Sequence, residues 1–300
     1  MALSDVAAVS EIGRGRGQAT HGLSGAVRAF RRKPLAAFAA ILIAFVLVFV
    51  LVGPIIVPFS ALDSDSGAVL RPPSATHWLG TDQYGRDIFA RLSGGGRISL
   101  LVGVGAVLIS SLLGTTLGLL SGYLGGAIDF GLQRLIDIEM SMPTLLLLLV
   151  IGVVLGHSIA MLVLAIGVLA GFVPPAHGAG AVLGVATMPY VEAATTLGAT
   201  HLRVVLRHVL PNIVAPVLVI ATIGLGQAII LESTLSFLGY GVPPPNPSWG
   251  GMLGGSSRRF IYQAPWLPIM PGVALGLTVY AFNMLGDGLR DLLDPRLKTR

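Results

Sequence analysis

Few residues in this chain could do chemistry, and their types exclude most enzymatic reactions. The chain has no cysteine, so it has no thiol nucleophile, thiolate metal site or disulfide. Its lysines are Lys33 and Lys298, and neither follows a G-x-x-x-x-G sequence, so the chain has no phosphate-binding loop. No H-E-x-x-H or G-x-S-x-G occurs, and the histidines are scattered. We therefore predict no catalytic residue, no metal site and no cofactor in this chain.

Glu232 differs from the other ionisable residues because it lies deep inside an apolar run. A carboxylate within a membrane span is costly and usually faces a cavity or a partner. Two interpretations follow. Glu232 is a candidate lining residue of a translocation pathway, or it makes a structural pair or cap near the end of its helix.

The elements that must position these residues are membrane spans. Of the 300 residues, 54% are hydrophobic and 11% are charged, whereas soluble domains carry about 25% charged residues. Six apolar runs have the length and pattern of helices that cross a bilayer. They are 35–57, 99–120, 135–155, 158–173, 213–238 and 268–285. We predict an all-α polytopic membrane protein with six transmembrane helices.

The basic residues give the orientation of these spans. Of the 19 lysines and arginines, 13 fall in the segments 1–34, 121–134, 174–212 and 286–300. Basic residues collect on the cytoplasmic side, so both termini should be cytoplasmic. Because the positive charge flanks spans, it indicates a lipid bilayer as partner and no nucleic acid.

The predicted organisation follows directly from these spans and their orientation. It consists of a cytoplasmic arm (1–34), an uncleaved first transmembrane helix (35–57), an extracytoplasmic loop (58–98), a core with five transmembrane helices (99–290) containing a cytoplasmic loop (174–212), and a cytoplasmic tail (291–300).

One polar stretch, "PYVEAATTLGATHLRVVLRHVLPN" (189–212), lies between apolar runs. Its apolar residues recur at helical spacing in two sets, with Gly198 between them where a helix C-terminal cap belongs. Thr200 suits the N-cap of the second helix, and Pro211 suits the first turn of the next span. The pattern predicts two short helices fixed to span five. Such a pair could pass force from a soluble partner, or it could be an amphipathic connector at the interface.

Within this stretch, "EAATTLGATHLRVVLRHVLP" resembles the EAA signature of membrane subunits of bacterial ATP-binding-cassette importers. The chain is further similar to the C-type permease subunit of dipeptide, oligopeptide and nickel importers over residues 28–297. The motifs that carry this similarity are "HWLGTDQYGRDIFARLSGGGRISL" (77–100), "LSFLGYGVPPPNPSWGGML" (235–253) and "APWLPIMPGVALGLTVYAFNMLGDGLRDLLDPR" (264–296).

The resemblance implies a type I importer permease fold in the bacterial cytoplasmic (inner) membrane. It also implies partners: a second homologous permease that completes a heterodimer, one or two ATPase subunits that bind ATP and Mg, and an extracytoplasmic substrate-binding protein. In that family the EAA loop docks in a cleft on an ATPase. By position, the coupling residues are Glu192, Ala193, Ala194, Leu197, Gly198, Leu210 and Pro211. The cargo stays open among dipeptides, oligopeptides, nickel chelates, glutathione and haem-like compounds.

The segment before the signature departs from the family. Residues 172–190 contain no arginine, and Thr195 stands where the family often has one. We therefore expect contact with the ATPase to depend on shape and apolar burial. Adjacent prolines at 174 and 175 should end span four near Val173, and a short helix within 178–188 should lead to Glu192.

Two further motifs have a structural and a functional interpretation. Asp82 and Asp87 in "GTDQYGRD" are placed to cap the helix that enters span two, or they contact the binding protein. Gly114, Gly118 and Gly122 form a stripe of small residues that packs within this subunit or against the second permease.

Two other classes of protein compete with an ATP-driven permease. A secondary transporter or channel would need no ATPase, and typically carries several intramembrane charges and often an internal repeat. A membrane enzyme would need convergent catalytic groups.

Overall fold

The computed structural model describes residues 34–172, 182 and 184–293. These residues form helices and no strand; one isolated bridge joins Thr81 and Asp87. The all-helical prediction is therefore confirmed. The helices are α1 (Pro34–Ile56), α2 (Ile88–Leu119), α3 (Gly126–Met140), α4 (Thr144–Leu155), α5 (Ile159–Phe172), α6 (Pro189–Thr196), α7 (His201–Val204), α8 (Leu210–Phe237), α9 (Trp249–Leu253), α10 (Ser256–Arg259) and α11 (Trp266–Leu293). A 3₁₀ turn (Ser66–Ala68) precedes α2, and π-turns (Leu120–Leu124 and Val205–Val209) follow α2 and α7.

Several long helices match the predicted spans. By length and composition, 4 helical runs within the described residues could cross a membrane, or up to 5 if the bent pair α3–α4 is one span. The shorter apolar α5 has 14 residues. Nearly all of the predicted arm, most of the predicted tail and the predicted end of span four lie outside the described residues. Of the helix expected within 178–188, residues 182 and 184–186 are helical, and residues 178–181 and 183 lie outside the described residues.

Span three differs from the prediction of one continuous helix over 135–155. The structure instead has α3 and α4, which meet at 84°. Pro143 lies at the junction. Proline has no N–H to donate and disfavours helix for the residue before it, so the chain turns here within an otherwise apolar run.

Span two is the second part of the helix α2, which begins at Ile88. The carboxylate of Asp87 accepts the N–H of Ala90 at 2.8 Å and caps the helix, as predicted. Its second oxygen lies 2.9 Å from Nδ1 of His77. The prediction that Asp82 also caps this helix is wrong: its carboxylate accepts the N–H groups of Tyr84 and Arg86 within the preceding turn.

The centre of the bundle is α2, which packs against α1, α5 and α8, while α11 packs against α1 and α8. Gly114 and Gly118 are buried and Gly122 is half-buried. The first two glycines therefore pack within this subunit, and a contact of the stripe with a second permease stays a prediction.

Candidate coupling site

Residues 189–212, called the knob from here on, begin with the short helix α6. Pro189 occupies its first turn, where a missing N–H costs nothing. The helix ends at Thr196, and Gly198, whose φ is +82°, follows the C-cap residue Leu197. The N–H of Gly198 donates to the carbonyl of Thr195 at 2.9 Å, and the N–H of Ala199 donates to Ala194 at 3.1 Å. This pair of bonds is a Schellman cap, so the predicted role of Gly198 in ending α6 is confirmed.

The second half of the knob is continuous with the long helix α8. Thr200 precedes α7 with an extended backbone, as an N-cap does, but its hydroxyl makes no capping bond. After α7, the N–H of Leu210 donates to the carbonyl of Val205 across the π-turn. Pro211 comes next, and a proline ring clashes with the carbonyl four residues earlier. The wider turn relieves that clash and lets the helical run continue.

The inner face of the knob is a small apolar core. Val191, Val204, Val209 and Ile213 are at most 2% exposed and pack with Val182. Burial of each such side chain stabilises the fold by about 2 kcal/mol. On its edge, the hydroxyl of Tyr123 lies 3.2 Å from Nδ1 of His201, which ties the knob to the π-turn after α2. These contacts give the knob a fixed orientation relative to the bundle.

The outer surface of the knob exposes large apolar side chains among polar and charged ones. Leu197 is 88% exposed, Leu202 69% and Leu206 55%. Glu192 and Ala193 are exposed beside them. Large apolar side chains concentrated on one face are typical of a surface that binds another protein.

The structure groups most of the predicted coupling residues on this one element. Glu192, Ala193 and Leu197 lie on its surface, whereas Ala194 is half-buried against the apolar core. Leu210 is half-buried and Pro211 is exposed where α8 starts. Arg203 and Arg207 are also exposed. The knob therefore carries basic charge on its surface, which the prediction of an apolar contact with the ATPase, based on the absence of arginine from residues 172–190, did not include. The coupling role of these residues stays a prediction.

Glu232 lies far from the knob, in the last turns of α8. It is 0% exposed, and hydroxyls of three serines reach its carboxyl group. These are Ser99 at 3.0 Å, Ser233 at 3.3 Å and Ser236 at 2.7 Å. The carboxyl group therefore faces the interior of its own subunit here, and its assignment to a translocation pathway stays a prediction.

Comparison with known families decides the class of this protein. The profile of the binding-protein-dependent transport system inner membrane component matches residues 114–299. The profile of the N-terminal transmembrane domain of oligopeptide transport permease C matches residues 23–73. The chain belongs to the binding-protein-dependent transport permeases.

Named relatives resemble this permease over nearly all of its length. It is 39% identical over 274 residues to a dipeptide transport system permease protein of Alkalihalophilus pseudofirmus, covering 91% of this chain and 90% of the relative. It is 38% identical over 276 residues to a glutathione transport system permease protein of Pectobacterium atrosepticum, covering 91% and 90%. An oligopeptide transport system permease protein of Haemophilus influenzae is 37% identical over 273 residues, covering 90% and 88%. The predicted resemblance is confirmed.

The permease also contains polar contacts that the sequence pattern does not predict. The bond between Ser99 and Glu232 joins residues 133 positions apart in the chain, so no local sequence pattern predicts it. The bond between Ser236 and Glu232 was predictable, because the two residues lie at i,i+4 spacing on one helix. In the described part of the chain, no group of three His, Asp or Glu side chains could hold a metal ion.

Proposed function

We propose that this permease, with a second homologous permease, forms the translocation pathway of an ATP-binding-cassette importer. Partner ATPase subunits bind ATP and Mg and supply the energy, and a binding protein on the outer side delivers the cargo. The observation that carries this proposal is the knob, which joins a surface with exposed leucines to a long helix through a continuous backbone.

The knob is held rigidly and is continuous with a helix long enough to cross the membrane. The apolar core beneath the knob fixes it to the bundle, and the helical run His201–Phe237 has 37 residues. At 1.5 Å per residue such a run is about 55 Å long, more than the ~30 Å hydrocarbon core of a bilayer. A displacement imposed on the knob by an ATPase would therefore reach the opposite side of the membrane.

The proposed topology has six spans with both termini cytoplasmic. The bent pair α3–α4 is one span in this arrangement, and α5 is another. The excess of basic residues on the segments that would be inside supports it. It puts the knob on the cytoplasmic side, where the ATPases act, and the loop 58–87 and residues 239–265 on the outer side.

The proposed cargo is a short peptide or a related small compound. The support is the similarity to relatives named for dipeptide, oligopeptide and glutathione transport. The chain itself does not distinguish among these compounds, because the binding protein and the second permease would share in selecting the cargo.

Reconstitution tests the proposed function. The complex of this permease with the second permease and the ATPases is placed in liposomes, with the binding protein outside. A labelled dipeptide, a labelled pentapeptide and glutathione are then offered one at a time. We expect uptake of at least one of them only when ATP and Mg are enclosed. Uptake driven equally well by an ion gradient without ATP would instead identify a secondary transporter.

A further inference from the structure

Residues 239–254, called the wedge segment from here on, are held between α2 and α8. Trp249 is 0% exposed, and its indole N–H donates to the carbonyl of Leu92 in α2 at 2.9 Å. On the other side, a Cβ on Gly250 would lie 2.3 Å from the Cα of Ser233 in α8. Only glycine permits this backbone contact, so the wedge segment sits directly on both helices.

Glu232 is the point at which two hydrogen-bond chains from the wedge segment meet. In the first, the N–H of Val242 donates to Oγ of Ser236 at 3.1 Å, and that hydroxyl donates to Oε1 of Glu232 at 2.7 Å. In the second, the N–H of Trp249 donates to Oγ of Ser99 at 3.2 Å, and that hydroxyl donates to Oε2 at 3.0 Å.

The direction of these bonds follows from the donors available. A serine hydroxyl has one proton, and each of these two hydroxyls already accepts a backbone N–H, so it can give its own proton to the carboxyl group. Removing either serine hydroxyl leaves a wedge N–H and a carboxyl oxygen without that partner. Each of these two serine hydroxyls therefore links one N–H of the wedge segment to one carboxyl oxygen of Glu232.

We propose that Glu232 is a positioning residue of the transport cycle, which fastens the wedge segment to the far end of α8 through Ser236 and Ser99. The helical run His201–Phe237 begins in the knob and ends beside the wedge segment. The fastened wedge segment moves as one body with that helix. Movement of the knob therefore repositions residues 239–254 on the outer side of the membrane. This inference rests on the proposed function, because it names the wedge segment as the part that moves when an ATPase displaces the knob.

Two neighbouring serines provide a matched test. Ser233 and Ser236 lie on the same helix, are 4% and 7% exposed, and both donate to Glu232. In the described structure the hydroxyl of Ser236 also bonds to the wedge segment, whereas the hydroxyl of Ser233 does not. Ser236→Ala cuts one tie to the wedge segment, and Ser233→Ala removes only a hydroxyl bond to the same carboxyl group.

We expect Ser236→Ala to lower the maximal rate of ATP-driven uptake about ten-fold or more, within the usual range of coupling effects. The amount of assembled complex, its basal ATP hydrolysis and the binding-protein concentration at half-maximal uptake should stay near wild type. Ser233→Ala should change none of these. Ser99→Ala cuts the other tie from a different helix and should behave as Ser236→Ala does.

Each outcome of this series is decisive. Equal uptake in Ser233→Ala and Ser236→Ala, whether normal or reduced, would overturn the proposal. Loss of assembly in both Ser236→Ala and Ser99→Ala would also overturn it, because the ties would then hold the fold rather than pass on motion. A wild-type complex that transports without ATP would refute the proposed function instead, which keeps the two failures distinguishable.

Discussion

Gly198→Val should lower ATP-driven uptake at least about ten-fold while the subunit still inserts and assembles. The φ of Gly198 is +82°, and a Cβ there would meet no atom within 4 Å. The penalty is therefore conformational: a β-branched residue in the left-handed region costs roughly 1–2 kcal/mol or more. Relief of that strain opens the Schellman cap and changes the angle between α6 and α7. Uptake and ATP hydrolysis by the reconstituted complex measure the effect.

Gly198→Asn is the matched control. Asparagine also adds a Cβ and a polar side chain, but it adopts the left-handed conformation more readily than other residues. It should keep most of the uptake. If the valine and asparagine variants lose uptake equally, the backbone conformation of the turn at Gly198 is not what coupling requires. The loss would then come from adding any side chain at this exposed position.

Glu192→Lys should also uncouple the complex, by about ten-fold or more in uptake. The side chain is exposed in the first turn of α6, so its replacement disturbs little inside the subunit. A cation near a helix N-terminus loses only about 0.3–1 kcal/mol of local stability. The larger effect comes from presenting the wrong charge, partly desolvated, to the docking cleft of the ATPase. Uptake with the amount of assembled complex held equal is the measurement.

Asp287→Lys reverses a charge elsewhere and is the control for this variant. Asp287 is exposed on α11, beyond the predicted span 268–285 and on the side proposed as cytoplasmic. It changes the net charge of the chain by the same amount as Glu192→Lys. Similar loss of uptake in both variants would attribute the effect to charge in general and remove Glu192 from the coupling site.

The knob was predictable because its determinants are local. Apolar residues at helical spacing, a glycine that must adopt positive φ and a proline in the first turn of the next helix all act over a few residues. The start of α2 was predictable for the same reason, because Asp87 caps it as expected. The role of the glycines at 94–96 was not predictable, because it depends on the wedge segment, where Gly95 lies close to Ser248 and Gly96 to Trp249.

The remaining features depend on tertiary contacts that no local pattern contains. The bend at Pro143 leaves hydropathy unchanged, so a run of apolar residues predicts one straight span through it. Glu232 was recognisable as an unusual residue, since a carboxyl group in an apolar run is costly. Its partners were not, because Ser99 and the backbone of Trp249 reach it only after α2, α8 and the wedge segment have packed together.

Docking of the knob on an ATPase is the central claim, and a single thiol tests it most directly. The chain has no cysteine, and Leu197 is 88% exposed, so Leu197→Cys introduces one accessible thiol into this subunit. In the permease pair without bound ATPase, a membrane-impermeant maleimide should label this cysteine from the cytoplasmic side. Bound ATPase should block that labelling, and a short bifunctional reagent should then join the two chains. Labelling from the outer side, or equal labelling with and without bound ATPase, would contradict the account.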